Sequence, residues 1–486
     1  MPAGAASLVI GVPQSRQLDP THNVQALART LAVERLTRTD AGGRTTPRLL
    51  GSWSEVDGGL TWRFALRPGL LYQDGTALTA ADVKARIDEL REEPPDRTLS
   101  VCVPDITDVS VVDVRQFVVR LKRRCALLLE DFDMAITRPT DAGRPPVGTG
   151  PFTIVSSTNE EVVLEANRRY YLGAPSIGRV VVRPYDTLRT AWAEMLRGRV
   201  DFLWEVGPDT AEFLRDQREV DVRSFLSYYA YTVILNTAHP VLRSPDVRRA
   251  LNLAIDRAEL VQQALKGQGR PGDDPVWPSL WARDAALPRW PFDPGEAARL
   301  IGRAVGAAEG APASADHPLF EFSCLVPAGF TLYERLALLV QRQLRSINVE
   351  MRIEALAPDA WLTRIRSGRF DAVLMNLVGG PYRTIYYRFW HSAGASQRWN
   401  YWNYADAGVD RALEQMRDAA NDGATRAAMR GLSQAFRANP PAVVLAWSET
   451  IQAVSRRFDI PDTGAGRDAL HVLDKWAIRA PGDLRR

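Results

Sequence analysis

Strand-like and helix-like segments alternate along most of this chain, and this alternation limits the folds that it can adopt. In the C-terminal half, for example, the strand-like run FDAVLMNL (370–377) precedes AGVDRALEQMRDA (407–419), which has apolar residues at helical spacing. Strands that alternate with helices form mainly parallel sheets with the helices packed on their faces. The pattern therefore predicts an α/β fold.

Two such α/β halves of different length lie on either side of a Pro- and Trp-rich stretch, residues 269–294. This stretch has no period and is predicted to be a long loop. Just before it, DVRRALNLAIDRAELVQQAL (246–265) is predicted to form one long amphipathic helix. A chain of 486 residues is longer than one hydrophobic core usually serves, so we expect two or three lobes.

Charge and hydropathy argue against two classes of protein. The net charge of +3 is spread along the chain, whereas nucleic-acid binders usually cluster their basic residues on one face. No stretch approaches the roughly 18 apolar residues of a membrane span. The first residues, MPAGAASLVIGV, lack the charged and apolar regions of a secretory signal. Two explanations stay open: a cytoplasmic protein, or one whose leader has been removed.

The three cysteines, Cys102, Cys125 and Cys324, show no CxxC spacing. One of them must be unpaired within the chain. Cys102 and Cys125 lie in neighbouring strand-like segments and could meet in a disulfide. The alternative is that all three are small buried hydrophobic residues.

The sequence offers no convincing motif for catalysis, cofactor binding or metal binding. One pattern matches a known motif, but its surroundings do not fit that function. GQGRPG (267–272) matches GxGxxG, but it follows a helix, and Pro271 stands where a phosphate would need free backbone. Walker A, GxSxG and HExxH are not found. The histidines have no metal-ligand spacing; they are His22, His239, His317, His391 and His471. We therefore predict no enzyme, no cofactor and no metal site.

Five colinear segments resemble one family. They are PRLLGSWSEVDGGLTWRFALRPGLLYQDGTALTAADV (47–83), GTGPFTIVSSTNEEVVLEANRRYYLGAPSIGRVVVR (148–183), LRGRVDF (196–202), LNTAHPVLRSPDVRRALNLAIDRAELV (235–261) and YWNYADAGVDRAL (401–413). Together they resemble the dipeptide, oligopeptide and nickel solute-binding proteins of ABC importers, family 5. Their residues are mostly scaffold, so they indicate the fold without naming the ligand.

The resemblance implies a two-lobed periplasmic-binding-protein-like fold of type II, cluster C, with an extra subdomain inserted in lobe I. Lobe I would comprise residues 1–45, 149–235 and 452–486. The inserted subdomain would be 46–148, and lobe II would be 236–451. The chain would cross between the lobes near 236–237 and near 448–452. A solute would bind in the cleft, and closure around it would prepare the protein to dock on a membrane permease.

In peptide-binding relatives, an aspartate after the strand equivalent to 370–377 pairs with the α-ammonium of the peptide. Here that position is Gly380. A buried ammonium without a counter-charge would cost several kcal/mol. The glycine thus argues against a binder that clamps a free N-terminus in the ordinary way, although Asp371 or a group of backbone carbonyls could substitute.

The loop after this strand offers arginine, which suits carboxylates and phosphates, and aromatic rings, which suit sugars and other rings. Gly379 and Gly380 would let backbone amides approach a ligand closely. With residues from lobe I, the predicted ligand-binding set is Thr21, His22, Asn23, Trp204, Gly379, Gly380, Tyr382, Arg383 and Trp399. Trp277 and Trp281 could line the cleft. The alternative for the aromatic residues is ordinary core packing.

These observations predict the substrate-binding component of an ABC importer, which captures a peptide-like or other small solute and delivers it to a permease. The alternatives are an oligosaccharide or anionic small molecule as ligand, or an accessory or sensor protein not tied to import. We expect an extracytoplasmic monomer, in the periplasm or lipid-anchored at the outer face of the membrane. Nucleic acid is not expected as a partner.

Overall fold

The computed structural model describes residues 7–13, 23–94, 100–138, 145–306, 318–395, 400–461 and 468–479. The strands are β1 (Ser7–Pro13), β2 (Thr37–Thr39), β3 (Thr45–Pro47), β4 (Leu50–Val56), β5 (Thr61–Leu66), β6 (Ile106–Val111), β7 (Gln116–Leu121), β8 (Phe152–Ser157), β9 (Val162–Ala166), β10 (Arg179–Tyr185), β11 (Phe202–Leu203), β12 (Val220–Leu235), β13 (Gly269–Pro271), β14 (Phe320–Pro327), β15 (Val349–Leu356), β16 (Ala372–Val378), β17 (Ala442–Ser455), β18 (Phe458–Asp459) and β19 (Ala477–Ile478).

The helices pack on both faces of these strands. They are α1 (Val24–Ala32), α2 (Ala80–Glu92), α3 (Leu128–Asp131), α4 (Leu188–Leu196), α5 (Pro208–Arg215), α6 (Pro245–Leu253), α7 (Arg257–Leu265), α8 (Pro294–Val305), α9 (Thr331–Arg345), α10 (Pro358–Arg366), α11 (Arg383–Trp390), α12 (Ala407–Arg417) and α13 (Asp422–Ala438). No helix of the described ranges is both long and apolar enough to cross a membrane.

One sheet runs through both lobes, in the strand order β15-β14-β16-β12-β17-β11-β1-β10-β9-β8. Each lobe contains parallel pairs, as the alternation predicts: β1 is parallel to β10 and β11, and β14 is parallel to β15 and β16. At the lobe I end, β9 and β8 add antiparallel strands. The centre differs, because β12 and β17 are long and antiparallel. This central pair joins the α/β sheet of one lobe to that of the other.

The two long strands each belong to both lobes. Residues Val220–Leu226 of β12 pair with β17 in lobe I, and Tyr229–Leu235 pair with β16 in lobe II. The predicted boundary at 235/236 thus lies at the lobe II end of β12, where Asn236 donates to the carbonyl oxygens of Gly368 and Phe370. The domain boundaries stay a prediction.

A bulge interrupts the central pair where the lobes meet. Leu226 lies opposite Glu449, but the next pair along is Ala230 opposite Trp447. Residues 227–229 of β12 therefore face the single residue Ser448. Such an insertion increases the local twist and redirects side chains, so the bulge marks the joint between the lobes.

A separate four-stranded antiparallel sheet, in the order β4-β5-β7-β6, lies beside lobe I. We call this sheet with its flanking segments, residues 50–94 and 100–138, the small-sheet unit. Cys102 and Cys125 form a disulfide within it, while Cys324 is buried and unpaired. Of the alternatives left open by the sequence, the structure therefore has the disulfide.

The single long helix predicted over 246–265 is wrong. Two helices, α6 and α7, occupy this stretch, and Asp256 is the N-cap of the second. Its carboxylate accepts the backbone N–H of Glu259 at 3.0 Å. Aspartate is among the best N-cap residues because it satisfies an N–H that has no partner in the helix. The helical spacing of apolar residues continues from α6 into α7, so the sequence pattern does not show that the helix ends between them.

Removing the disulfide should destabilise the small-sheet unit. Cross-linking residues that are 23 positions apart contributes about 3 kcal/mol in the chain-entropy account. We expect the double variant C102S/C125S to unfold at a lower denaturant concentration than the wild type. Dithiothreitol should lower the midpoint of the wild type to that of the variant and leave the variant unchanged. Equal midpoints with and without reductant would show that the bond adds nothing.

Candidate functional site

Lobe II touches lobe I and the small-sheet unit along a row of polar contacts, which we call the interlobe seam. On one side it comprises Gly42, Arg44, Arg124, Ala126, Glu130 and Asp133, and on the other Trp281, Tyr382, Arg383, Arg417, Ala419 and Asp422. Several contacts use the backbone: the N–H of Ala126 donates to the carbonyl oxygen of Arg417 at 2.6 Å, and that of Trp281 to Gly42 at 2.7 Å. The structure thus shows the lobes in contact.

Glu130 makes three hydrogen bonds across the seam, to Arg383 and Thr384. Its Oε2 accepts the backbone N–H groups of Arg383 at 2.6 Å and Thr384 at 3.2 Å, and its Oε1 accepts the Arg383 Nε at 2.6 Å. The two backbone donors are the first residues of α11. A carboxylate of the small-sheet unit therefore caps α11 of lobe II. Its negative charge interacts favourably with the positive end of the helix dipole. Both side chains are buried, with 1% and 10% of their surface exposed.

Tyr382 makes the neighbouring contact, its hydroxyl donating to Asp133 Oδ2. Burial, together with the negative charge of Asp133, raises the pKa of Tyr382 well above its usual value, so this hydroxyl keeps its proton. Tyr382 and Arg383, both predicted to bind ligand, thus hold the lobes together in this conformation. Whether they also touch a solute stays a prediction.

Asp131, beside Glu130, fixes the disulfide loop to the same short helix. Its carboxylate accepts backbone N–H groups of Val101 at 2.9 Å and Cys102 at 2.6 Å. Burial raises the pKa of Asp131 to about 7, against the opposing effect of these hydrogen bonds and of Arg388 on α11. The helix α3 therefore contacts the disulfide loop through Asp131 and the seam through Glu130.

The two tryptophans of the long loop have different places. Trp277 is fully buried, and its indole N–H donates to the carbonyl oxygen of Ser227 at 3.2 Å. Trp281 lies in the seam, where three guanidinium groups surround its ring, with Arg44 at 4.0 Å, Arg426 at 5.4 Å and Arg383 at 5.7 Å from the centroid. Trp277 is core, and Trp281 lies between the lobes.

Gly379 and Gly380 are required by packing. A Cβ at Gly380 would lie 2.9 Å from the Cβ of Tyr228, and one at Gly379 would lie 2.4 Å from the Trp447 ring. Both glycine N–H groups donate to the carbonyl oxygen of Tyr228, at 2.8 and 3.0 Å. The expectation that these amides are open to a ligand is therefore wrong. Asp371 is engaged as well, since it accepts the backbone N–H and hydroxyl of Ser323.

Other predicted residues lie elsewhere or outside the described ranges. Asn23 caps α1, its Oδ1 accepting the N–H of Ala26 at 2.7 Å. Trp204 follows β11 and packs half-buried against the lobe I core. Thr21, His22 and Trp399 fall outside the described residues. The structure brings Gly379, Gly380, Tyr382 and Arg383 together, and leaves Asn23 and Trp204 on lobe I.

Glu449 was not in the predicted set. It is half-buried on β17 opposite Leu226, at the joint between the lobes. Before it, Ser448 pairs with β13 of lobe II, and after it Ile451 accepts the N–H of Val206 of lobe I. Among the described residues its carboxylate has no hydrogen-bond or ion-pair partner. The signal in the sequence was one acid within the apolar strand AVVLAWSETIQAV.

Two lobes are joined by a pair of long strands and touch along the seam, which is the architecture of a two-lobed binding protein. The chain belongs to the bacterial extracellular solute-binding proteins, family 5, whose sequence model matches residues 44–397. Proteins of this family serve ABC importers. The family and the two-lobed α/β fold expected from the sequence are thus confirmed.

Similar proteins bind several kinds of solute. A Pseudomonas aeruginosa relative named "Probable di/tripeptide-binding protein 5" is 24% identical over 466 residues, 86% of each chain. A glutathione-binding protein of Salmonella typhimurium is 27% identical over 322 residues, which are 63% of this chain and 60% of that protein. The structure of NikZ from Campylobacter jejuni, in complex with Ni(L-His), has a TM-score of 0.81 at 21% identity and covers 98% of this chain and 100% of that one. At such identity the structural likeness shows the fold.

Glu130→Gln should weaken the seam. The substitution leaves the buried guanidinium of Arg383 without its counter-charge, and breaking a buried pair in this way costs about 3–5 kcal/mol. We expect a larger radius of gyration by small-angle X-ray scattering, because more molecules would be open. The matched control is Glu89→Gln, at an exposed acid on α2. An unchanged radius in both variants would contradict a role of Glu130 in closure.

Gly380→Ala should destabilise the protein. The added methyl must displace Tyr228, and overpacking of this kind costs about 1–3 kcal/mol. Gly302→Ala is the matched control, because it lies in α8 with no atom within 4 Å of the new Cβ. We expect that control to be neutral or stabilising by up to about 1 kcal/mol. Equal melting temperatures for wild type and Gly380→Ala would refute the packing argument.

Proposed function

We propose that this chain captures a small, peptide-like solute carrying a protonated amine and delivers it to an ABC permease. The observation that carries the proposal is Glu449, a half-buried carboxylate without a partner among the described residues, at the joint between the lobes. A carboxylate removed from water is stabilised best by a charge-assisted hydrogen bond. An ammonium group of the solute would provide one.

The packing at Gly380 supports the same proposal. The loop after β16 has no space for an acid there, because Tyr228 occupies it. An amine bound in the cleft must therefore find its counter-charge elsewhere, and Glu449 offers one from the strand that joins the lobes. The printed names of two relatives, for di- and tripeptides and for glutathione, agree with a peptide-like solute.

The arginines of the seam give little support to an anionic solute. Arg383 pairs with Glu130 at 2.6 Å and Arg44 with Asp422 at 2.8 Å, so their charges are compensated within the protein. The sequence left an oligosaccharide or anionic small molecule open as the alternative ligand, because it could not show these partners. We therefore prefer the amine-bearing solute.

The disulfide supports a location outside the cytoplasm. Cys102 and Cys125 are bonded, and structural disulfides persist mainly in oxidising compartments. We infer that the protein works in the periplasm or at the outer face of the cell membrane, as a monomer without enzymatic activity. Its partner there would be the membrane permease.

A thermal-shift assay tests the ligand class. Pools of free tripeptides, of the same tripeptides acetylated at the N-terminus, and of oligosaccharides would be added to the purified full chain. A solute at about 100 times its dissociation constant adds about 2.7 kcal/mol, a shift of a few degrees. We expect a shift with the free peptides, and a much smaller one with the acetylated peptides.

Variants connect the shift to the site. Glu449→Gln should abolish the response to free peptides, whereas Glu165→Gln, at an exposed acid on β9, should preserve it. An equal shift with acetylated peptides, or a response to oligosaccharides alone, would overturn the amine-bearing ligand. A shift that survives in Glu449→Gln would keep peptide binding and remove Glu449 from it.

A further inference from the structure

A polar groove of about 240 Å³ lies in lobe I, away from the cleft. It is formed where β12 begins and β17 ends, under the segment that follows β17. Its lining residues are Asp221, Arg223, Val454, Ser455, Arg456, Phe458, Ile460 and Arg479. Asp221 and Leu226 are five positions apart on β12, or about 17 Å. Since Leu226 lies opposite Glu449, the groove is separate from the proposed solute site.

Two arginines of the groove are held in place through their Nε atoms. Arg223 Nε donates to Asp221 Oδ2 at 2.8 Å, and Arg456 Nε donates to the carbonyl oxygen of Val220 at 3.1 Å. Within the described part of the chain, the terminal amino groups of these two guanidinium groups have no hydrogen-bond partner. The donors are thus oriented by the protein and remain available to a ligand.

The charge of the groove favours an anion. Three arginines face one aspartate in the lining, and that aspartate is already paired with Arg223. The third arginine, Arg479, lies 3.7 Å from Asp459, an exposed acid outside the lining. A guanidinium group matches phosphate and carboxylate oxygens with two parallel N–H donors. Three of them, brought together from distant parts of the sequence, form a local excess of positive charge.

The geometry points to a binding site for a phosphate-type anion in this groove. The space of about 240 Å³ is far above the roughly 10–15 Å³ that one water needs on the same measure, so it accommodates one phosphate group with its remaining hydration. Val454, Phe458 and Ile460 form the apolar part of the lining and reduce the access of water to the guanidinium groups. The same chemistry is offered by free inorganic phosphate and by the headgroup of an anionic phospholipid.

Isothermal titration calorimetry of the full chain with inorganic phosphate tests the site. We expect one saturable event whose affinity falls at least tenfold in Arg456→Gln and in Arg223→Gln. Arg63→Gln, on the small-sheet unit, is the matched control and should bind as the wild type does. Glu449→Gln should also bind normally, which separates this groove from the cleft. Melting temperatures of all variants would confirm that they fold.

Co-sedimentation with vesicles distinguishes the two sources of phosphate. Binding to phosphatidylglycerol vesicles but not to phosphatidylcholine vesicles, lost in Arg456→Gln, would assign the site to a lipid headgroup. Saturable binding of inorganic phosphate without vesicle binding would assign it to the free anion. The proposal is overturned if neither probe binds, or if binding is the same in Arg456→Gln and the wild type.

Discussion

The antiparallel pairing of β12 with β17 is the interaction on which the rest of this structure depends. Both strands run from one lobe into the other, so their hydrogen bonds connect two sheets that would otherwise be separate. The bulge at residues 227–229 interrupts the ladder at the joint itself. A second register shift lies in lobe II, between Tyr231 and Thr232. The interruption at the joint leaves fewer backbone hydrogen bonds to resist a change in the angle between the lobes. The same bulge brings Tyr228 over Gly380 and thereby shapes the adjoining loop.

The seam explains how such a molecule can close without being locked. Its ion pairs and hydrogen bonds can be replaced by water when the lobes separate, so their net contribution is modest. Apolar side chains from both sides, among them Leu128 and Ile385, belong to one buried hydrophobic cluster and favour contact. Glu130 and Arg383 are buried when the lobes meet, and each would regain hydration on opening. A balance of this kind lets the differential contacts of a solute decide the population of the closed state. The hydrogen bonds of Asp131 connect the disulfide loop to α3, the helix that carries Glu130.

Local patterns in the sequence predicted most of the fold, and the long-range contacts of the site escaped them. The alternation of strands and helices is a property of neighbouring residues, and it gave the α/β class and both lobes. The pairing of Glu130 with Arg383 joins residues 253 positions apart, and no local sequence pattern near either residue predicts it. Gly380 was recognised as a position without an acid, but that Tyr228 fills the space could not be read from the loop. Asp256 is a different case, because the local sequence does contain the signal. Aspartate favours helix N-caps, but the apolar spacing continues past it and predicts one uninterrupted helix.

On the proposed function, the position of Glu449 has a consequence for closure. A carboxylate on the strand that joins the lobes moves little relative to either of them, so it can pair with an amine in the open and in the closed state. A contact made equally in both states adds affinity without shifting their ratio. Glu449 would then select the class of solute, and closure would be driven by other parts of the solute that reach both lobes. Recognition of charge and closure of the cleft would therefore depend on different residues, Glu449 for the first and the seam around Glu130 for the second.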